Sequence, residues 1–204
     1  RDALPLLKAA EFVSIAIINP PTHRPERSDP GGRLSEFLSR HGVHVEISVL
    51  AKTMPRISDV LARHAEDSGA DLVMLQEVSE RNIPLLALLE DDYPHQQFCR
   101  FSAWSGMAVL SRFPAVADGI CSDGRGMAGL RVEGPDGPFW ALSIHLHWPW
   151  PHGQAQQVDR MLPQLLALEG PVVIGGDFNM VSWAHSVRSI AAATETQRVG
   201  QRLP

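Results

Sequence analysis

The apolar run Pro171-Val172-Val173-Ile174 passes directly into Gly175-Gly176-Asp177-Phe178-Asn179, and this junction constrains the fold more than any other stretch of the chain. Consecutive Val172, Val173 and Ile174 specify a strand covered on both faces. The glycines then let the backbone turn tightly, so Asp177 and Asn179 emerge where the strand stops. Layered α/β folds gather their sites at such strand ends. An acid and an amide two residues apart can orient a water or a metal and hold a phosphoryl oxygen. The same pair can also serve only as caps of a turn.

The N-terminal third alternates strand and helix. Phe12 to Ile18 reads as a strand after a helix tail at residues 1–10, and a loop rich in Pro, Arg, Asp and Gly follows. Leu34, Phe37 and Leu38 share one helical face, with Gly42 as the C-cap glycine. Val43, Val45, Ile47 and Val49 alternate with His44, Glu46 and Ser48, the pattern of a half-buried strand. A helix from Pro55 turns Ile57, Val60, Leu61 and Ala65 inward and stops at Gly69, before the buried strand Leu72 to Leu75. This β-α-β-α-β order favours a parallel, helix-covered sheet. After Glu77 the texture changes. A short helix at residues 80–92 precedes strands near 97–101, 106–111, 126–133 and 139–146, with a hairpin turn at Gly134-Pro135-Asp136-Gly137. Val158, Met161, Leu162, Leu165 and Leu166 then share one face of a long helix, and another helix spans residues 184–193.

With 204 residues, 44% hydrophobic and 20% charged, the chain reads as an ordinary globular protein. The net charge of −5 excludes a chain-wide basic footprint for nonspecific nucleic-acid binding. No apolar run is long enough to span a bilayer. The compartment is not specified by the sequence, the cytoplasm being weakly favoured, and with no export signal Cys99 and Cys121 are expected as free core thiols. They could also face each other across a hairpin. The start, Arg1-Asp2-Ala3-Leu4, reads as that of a fragment or a processed form. No feature specifies an oligomeric state.

From Asp71 onward four passages, in order, resemble the endonuclease/exonuclease/phosphatase superfamily, the deoxyribonuclease-I-like fold. They are Ala70-Asp71-Leu72-Val73-Met74-Leu75-Gln76-Glu77-Val78; Gly106 to Pro114; Ser143-Ile144-His145-Leu146; and Val173-Ile174-Gly175-Gly176-Asp177-Phe178-Asn179. Residues 1–75 resemble the universal stress protein family instead, through Ala3 to Leu7, the strand at Phe12, the Arg40 to Leu50 pattern and Gly69-Ala70-Asp71-Leu72. Its nucleotide-binding members carry a glycine-rich phosphate loop where this chain has Leu75-Gln76-Glu77, so no ATP site is implied. The two resemblances together imply an α/β sandwich of sheets flanked by helices, truncated at its C-terminal end, with an N-terminal parallel β-α-β lobe. They divide the chain into residues 1–75 and 70–204 and read as a chimera.

The deoxyribonuclease-like resemblance implies hydrolysis of phosphodiesters or phosphomonoesters, nucleic acid among them, with Mg²⁺ (or Mn²⁺). Glu77 becomes the metal ligand, a hard oxygen donor suited to Mg²⁺. Asp177 becomes the group that orients or deprotonates water, Asn179 a donor to the phosphate or nucleophile, and His145 a phosphate-contacting donor. Arg112 and Trp148 are weaker substrate contacts; Arg112, Arg125 and His185 read better as solvated surface, and Trp148 and Trp150 read equally as loop packing. Asn19, which ends the first strand, is a weaker metal candidate. The resemblance further implies a late Asp-His turn, and no Asp-His pair follows Asn179, so an incomplete site is expected. The alternative is a noncatalytic chimera or stress-protein-like binding module.

Overall fold

The computed structural model describes residues 13–18, 32–51, 53–55, 57–122, 126–181 and 183–197. The described residues fall into two compact units, one up to residue 64 and one over residues 65–197. In the first, β1 (Val13–Ile18) and β2 (Val45–Leu50) pair in parallel, with Val13 opposite Val45 and Ile18 opposite Leu50. Between them lies α1 (Gly32–Arg40), whose Leu38 joins Val43, Val13 and Ile15 in a small core. Gly42, at φ 76°, ends α1. The Val43 N–H reaches back to the Leu38 carbonyl and the Gly42 N–H to that of Ser39, the double bond of a Schellman stop. The expected parallel lobe is therefore present. α2 (Ile57–Asp67) ends in the same way at Gly69, where Ala70 N–H donates to Ala65.

The second unit is a sandwich of two sheets. The first has the order β3 (Leu72–Ser79), β5 (Ser105–Ser111), β4 (His95–Arg100), all antiparallel. The second runs β6 (Ile120–Cys121), β7 (Met127–Gly134), β8 (Gly137–His145), β9 (Val172–Asp177), with only β8 and β9 parallel. The β7–β8 hairpin closes at Gly134 opposite Gly137, as the turn chemistry predicts. A short helix, α3 (Ile83–Leu88), precedes β4; α4 (Gln154–Leu166) makes the crossover from β8 to β9, and α5 (His185–Ala193) follows.

Alternation along β8 explains the layering. Trp140, Leu142 and Ile144 meet Met161 and Leu165 of α4 and Ile190 of α5. Ala141 faces the other way, into a core built from Met107, Val109, Leu130 and Val132 between the sheets. Gln76 ties the two sheets by donating to Ser143 Oγ at 2.9 Å, and that hydroxyl donates to the Leu75 carbonyl at 3.1 Å.

Several expectations need correction. β3 does not continue the parallel N-terminal order but pairs antiparallel with β5. The strand buried on both faces is β8; Val172, Val173 and Ile174 are half-buried because β9 is the edge strand among the described residues. Leu61 and Leu166, expected inward, are 42% and 68% exposed. Cys99 and Cys121 are not free: they form a disulfide with Cα atoms 5.5 Å apart, joining β4 of one sheet to β6 of the other. Sheet stacking brings them together, and spacing along the chain does not encode stacking. Among the described residues no helix is long and apolar enough to cross a membrane.

Candidate active site

The strand ends of the sandwich build a cleft of about 410 Å³. β3 contributes Glu77 through a bulge. Leu75 pairs with Ala108 and Val78 with Gly106, so Gln76 and Glu77 together oppose Met107. The extra residue breaks the alternation: Gln76 turns inward to Ser143, and Glu77, at φ 56°, presents an exposed carboxylate to the cleft. A non-glycine residue in this left-handed region costs about 1–2 kcal/mol, and packing around the bulge must hold it there.

β8 and β9 contribute the facing pair. His145 stands directly opposite Asp177 in their parallel register, which brings the two Cα atoms to roughly 4.8 Å and turns both side chains to the same face. Close approach is possible because the residue before Asp177 is Gly176, at φ 152°; a Cβ there would overlap the Ile144 carbonyl. The Asn179 N–H then donates to Asp177 Oδ1 at 2.9 Å, an Asx turn, with Asn179 at φ 47°. Asn179 Nδ2 donates to the Leu146 carbonyl at 2.7 Å. One of its two amide hydrogens is therefore engaged in bracing the loop.

His145 is 6% exposed, and its Nδ1 is buried without a hydrogen-bond partner. Its ring lies on Phe101, and His147 packs on the same phenylalanine. Burial lowers the pKa of His147, and the neighbouring His145 and His152 push it the same way. Trp148 lines the cleft and is largely exposed, as is Trp150.

The structure thus brings Glu77, His145, Trp148, Asp177 and Asn179 to one cleft. Arg112 lies elsewhere. It follows the end of β5 that pairs with Leu72, five residues and roughly 16 Å along β3 from Glu77, where its guanidinium sits 5.0 Å above the Tyr93 ring. His185 sits on α5, sharing a hydrogen bond with Ser189. Asn19 and Arg125 lie outside the described residues. Among the described residues no group of three or more His, Cys, Asp and Glu side chains is placed to hold a metal ion.

Sequence reasoning passed over Phe101, His152, Gln154 and Gln157. The two glutamines did carry a signal. They share the helical face of Val158, Met161 and Leu165, and a polar residue within an apolar stripe must find a buried partner.

A sequence model of the Endonuclease/Exonuclease/phosphatase family matches residues 27–198. The match takes in α1, β2 and α2, the elements assigned above to the universal stress protein resemblance, and nothing in the comparisons supports that second resemblance or a chimera. Among solved structures, sphingomyelinase C from Streptomyces griseocarneus matches with TM-score 0.50 at 19% identity, over 67% of this chain and 62% of that one. A double mutant of beta toxin from Staphylococcus aureus with bound magnesium ions matches with TM-score 0.53 at 14% identity, over 70% of this chain and 63% of that one. The chain spans less than two thirds of the length of these structures. At such identities the likeness is one of fold. No curated protein sequence matches.

Proposed function

Because the chain belongs to the endonuclease/exonuclease/phosphatase family, we propose that it hydrolyses phosphate esters, phosphodiesters first, with Mg²⁺ (or Mn²⁺). The observation that carries this reading is the side-by-side register of His145 and Asp177 in a cleft that also holds Glu77.

The donors fit a hard cation. Mg²⁺ keeps most of its waters and takes one or two protein carboxylates rather than a closed cage, so Glu77 would be its protein ligand. Bound there, the ion would neutralise charge developing on the phosphoryl oxygens. Asp177 would orient the attacking water and take its proton. The bond from Asn179 to Oδ1 fixes the carboxylate rotamer and leaves the second oxygen for that task. His145 would donate to a phosphoryl oxygen. Its Nδ1 is sealed and unpartnered, and a buried lone pair is tolerated better than a buried N–H, so the ring hydrogen belongs on Nε2. Trp148 would form a wall for the substrate.

Among the described residues the cleft lining contains no arginine or lysine, and the chain carries a net charge of −5. A tight grip on a long polyanion needs many basic contacts, which favours a small phosphodiester over duplex nucleic acid.

Hydrolysis of bis(4-nitrophenyl) phosphate tests the reading. Turnover should require Mg²⁺ or Mn²⁺, vanish with chelator, and fall at least about a hundredfold in Asp177→Asn, which keeps the Oδ1 acceptor and removes the charge. Mg²⁺ binding without turnover would move the reading to a noncatalytic binding module. Metal-independent turnover, unchanged in Asp177→Asn, would overturn it.

A further inference from the structure

The tripeptide His145-Leu146-His147 runs off the end of β8, yet every one of its backbone polar groups has a partner. The His145 N–H donates to the Gly126 carbonyl and the Leu146 N–H to that of Asp177, each at 2.9 Å, so two of the tripeptide's groups are met by backbone. The other four groups bond to side-chain amides. The Leu146 carbonyl accepts from Asn179 Nδ2. Gln157 Nε2 donates to the His145 carbonyl at 3.2 Å, and its Oε1 accepts the His147 N–H at 2.8 Å. Gln154 Nε2 donates to the His147 carbonyl and also, at 3.1 Å, to the carbonyl of Phe178.

Gln157 thus bonds a C=O and the N–H two residues on, the pattern a residue of a neighbouring parallel strand would make. Its amide continues the ladder at the point where β7 leaves β8. The space for it exists because position 126 is glycine; a Cβ there would strike Gln157 Nε2. Gln157 is 4% exposed and Gln154 1% exposed. They sit one helical turn apart on α4, which buries its apolar face against β8. The bond to Phe178 extends the hold to the loop between Asp177 and Asn179.

We propose that Gln157, seconded by Gln154, is a positioning residue for hydrolysis: it fixes the backbone on which the His145 imidazole is carried and holds it in register with Asp177. The inference rests on the phosphoesterase reading above. A ring free to move by about 1 Å loses roughly a hundredfold in rate without losing substrate binding.

The test uses the full chain with Mg²⁺ and bis(4-nitrophenyl) phosphate. Gln157→Leu keeps the bulk and removes both bonds; kcat should fall about a hundredfold while KM stays within about twofold. Gln157→Glu supplies the check against a merely structural role. Its protonated carboxyl can donate to the His145 carbonyl and accept from His147, whereas the carboxylate would face that carbonyl with no hydrogen. The ratio of its kcat to wild type should therefore rise as pH falls, whereas the Gln157→Leu ratio stays flat. The Gln157→Leu ratio, measured over the same pH range, controls for titration elsewhere in the chain. Unchanged kcat in Gln157→Leu, an effect on KM alone, or a Gln157→Glu ratio that ignores pH would overturn the proposal. If the wild-type chain shows no turnover, the phosphoesterase reading fails by itself, and amide hydrogen exchange decides the rest. Exchange at His147 about tenfold faster in Gln157→Leu, with Ala141 and Leu142 still protected, supports the clamp. Unchanged exchange at His147, or protection lost along all of β8, overturns it.

Discussion

The imidazole of His145 lies flat on the ring of Phe101, with centroids 4.4 Å apart and planes inclined by 13°. Phe101 follows β4 in one sheet and His145 ends β8 in the other, so the contact crosses the sandwich. His147 packs on the same ring at 4.6 Å. Phe101→Leu should lower stability by about 1–2 kcal/mol, from lost stacking and contact area. It should also lower kcat about tenfold, while Phe101→Tyr keeps both close to wild type. Urea unfolding and steady-state kinetics on the two variants check this; equal effects of Leu and Tyr would show that the flat ring face is not what matters.

Glu77 sets function against backbone strain. Its carboxylate is exposed and its φ is 56°. Glu77→Gly should relieve the left-handed strain and, after the extra entropy of a glycine in the unfolded chain, raise stability by roughly 0.5–1 kcal/mol. The same variant should lose Mg²⁺ affinity about tenfold or more, read by calorimetric titration. Undiminished Mg²⁺ binding in Glu77→Gly would remove this carboxylate from the metal site.

His147 makes acid stability pH-dependent. Burial first, then the charges of His145 and His152, lower its pKa below the ordinary 6.5. Between the folded value and 6.5 the unfolded chain binds more protons at this site than the folded chain does, so stability falls as pH drops through that window. Above it both states are neutral and the contribution is constant. The urea midpoint of His147→Gln should therefore decline less steeply than that of wild type below about pH 6.5, with parallel curves above it. Identical slopes in the acid limb would contradict the assignment.

The Cys99–Cys121 disulfide closes a loop with a sequence separation of 22 and staples the two sheets. Reduction should destabilise the second unit by about 3 kcal/mol, mainly by freeing the unfolded chain. The Cys99→Ser, Cys121→Ser double variant should match reduced wild type and no longer respond to reductant. Two titratable thiols in native, unreduced protein would refute the bond.

Much of the cleft was legible because its residues sit where apolar runs stop. Val173-Ile174 leads to Asp177, Leu75 to Glu77 and Ile144 to His145; a polar residue at the end of a buried strand is visible as a break in pattern. The hairpin at Gly134 to Gly137 was legible because turn chemistry is local. Arg112 misled for the same reason in reverse. It also follows an apolar strand, but the opposite end of the sheet from the cleft, and antiparallel pairing decides which end that is. Gln154 and Gln157 were passed over because their partners are backbone groups of β8 and the β9 loop, and a carbonyl has no residue type to read.

Side-chain periodicity by itself located most strands and helices and most of the faces they bury, Leu61, Leu166 and β9 excepted, since burial is a property of side chains. The tertiary structure alone decided partnership: β3 against β5 rather than in the parallel N-terminal pair, β8 rather than β9 inside the sheet, and Cys99 against Cys121. Strands are joined through N–H and C=O groups that nearly every residue carries alike, so who pairs with whom is settled only when the whole chain packs.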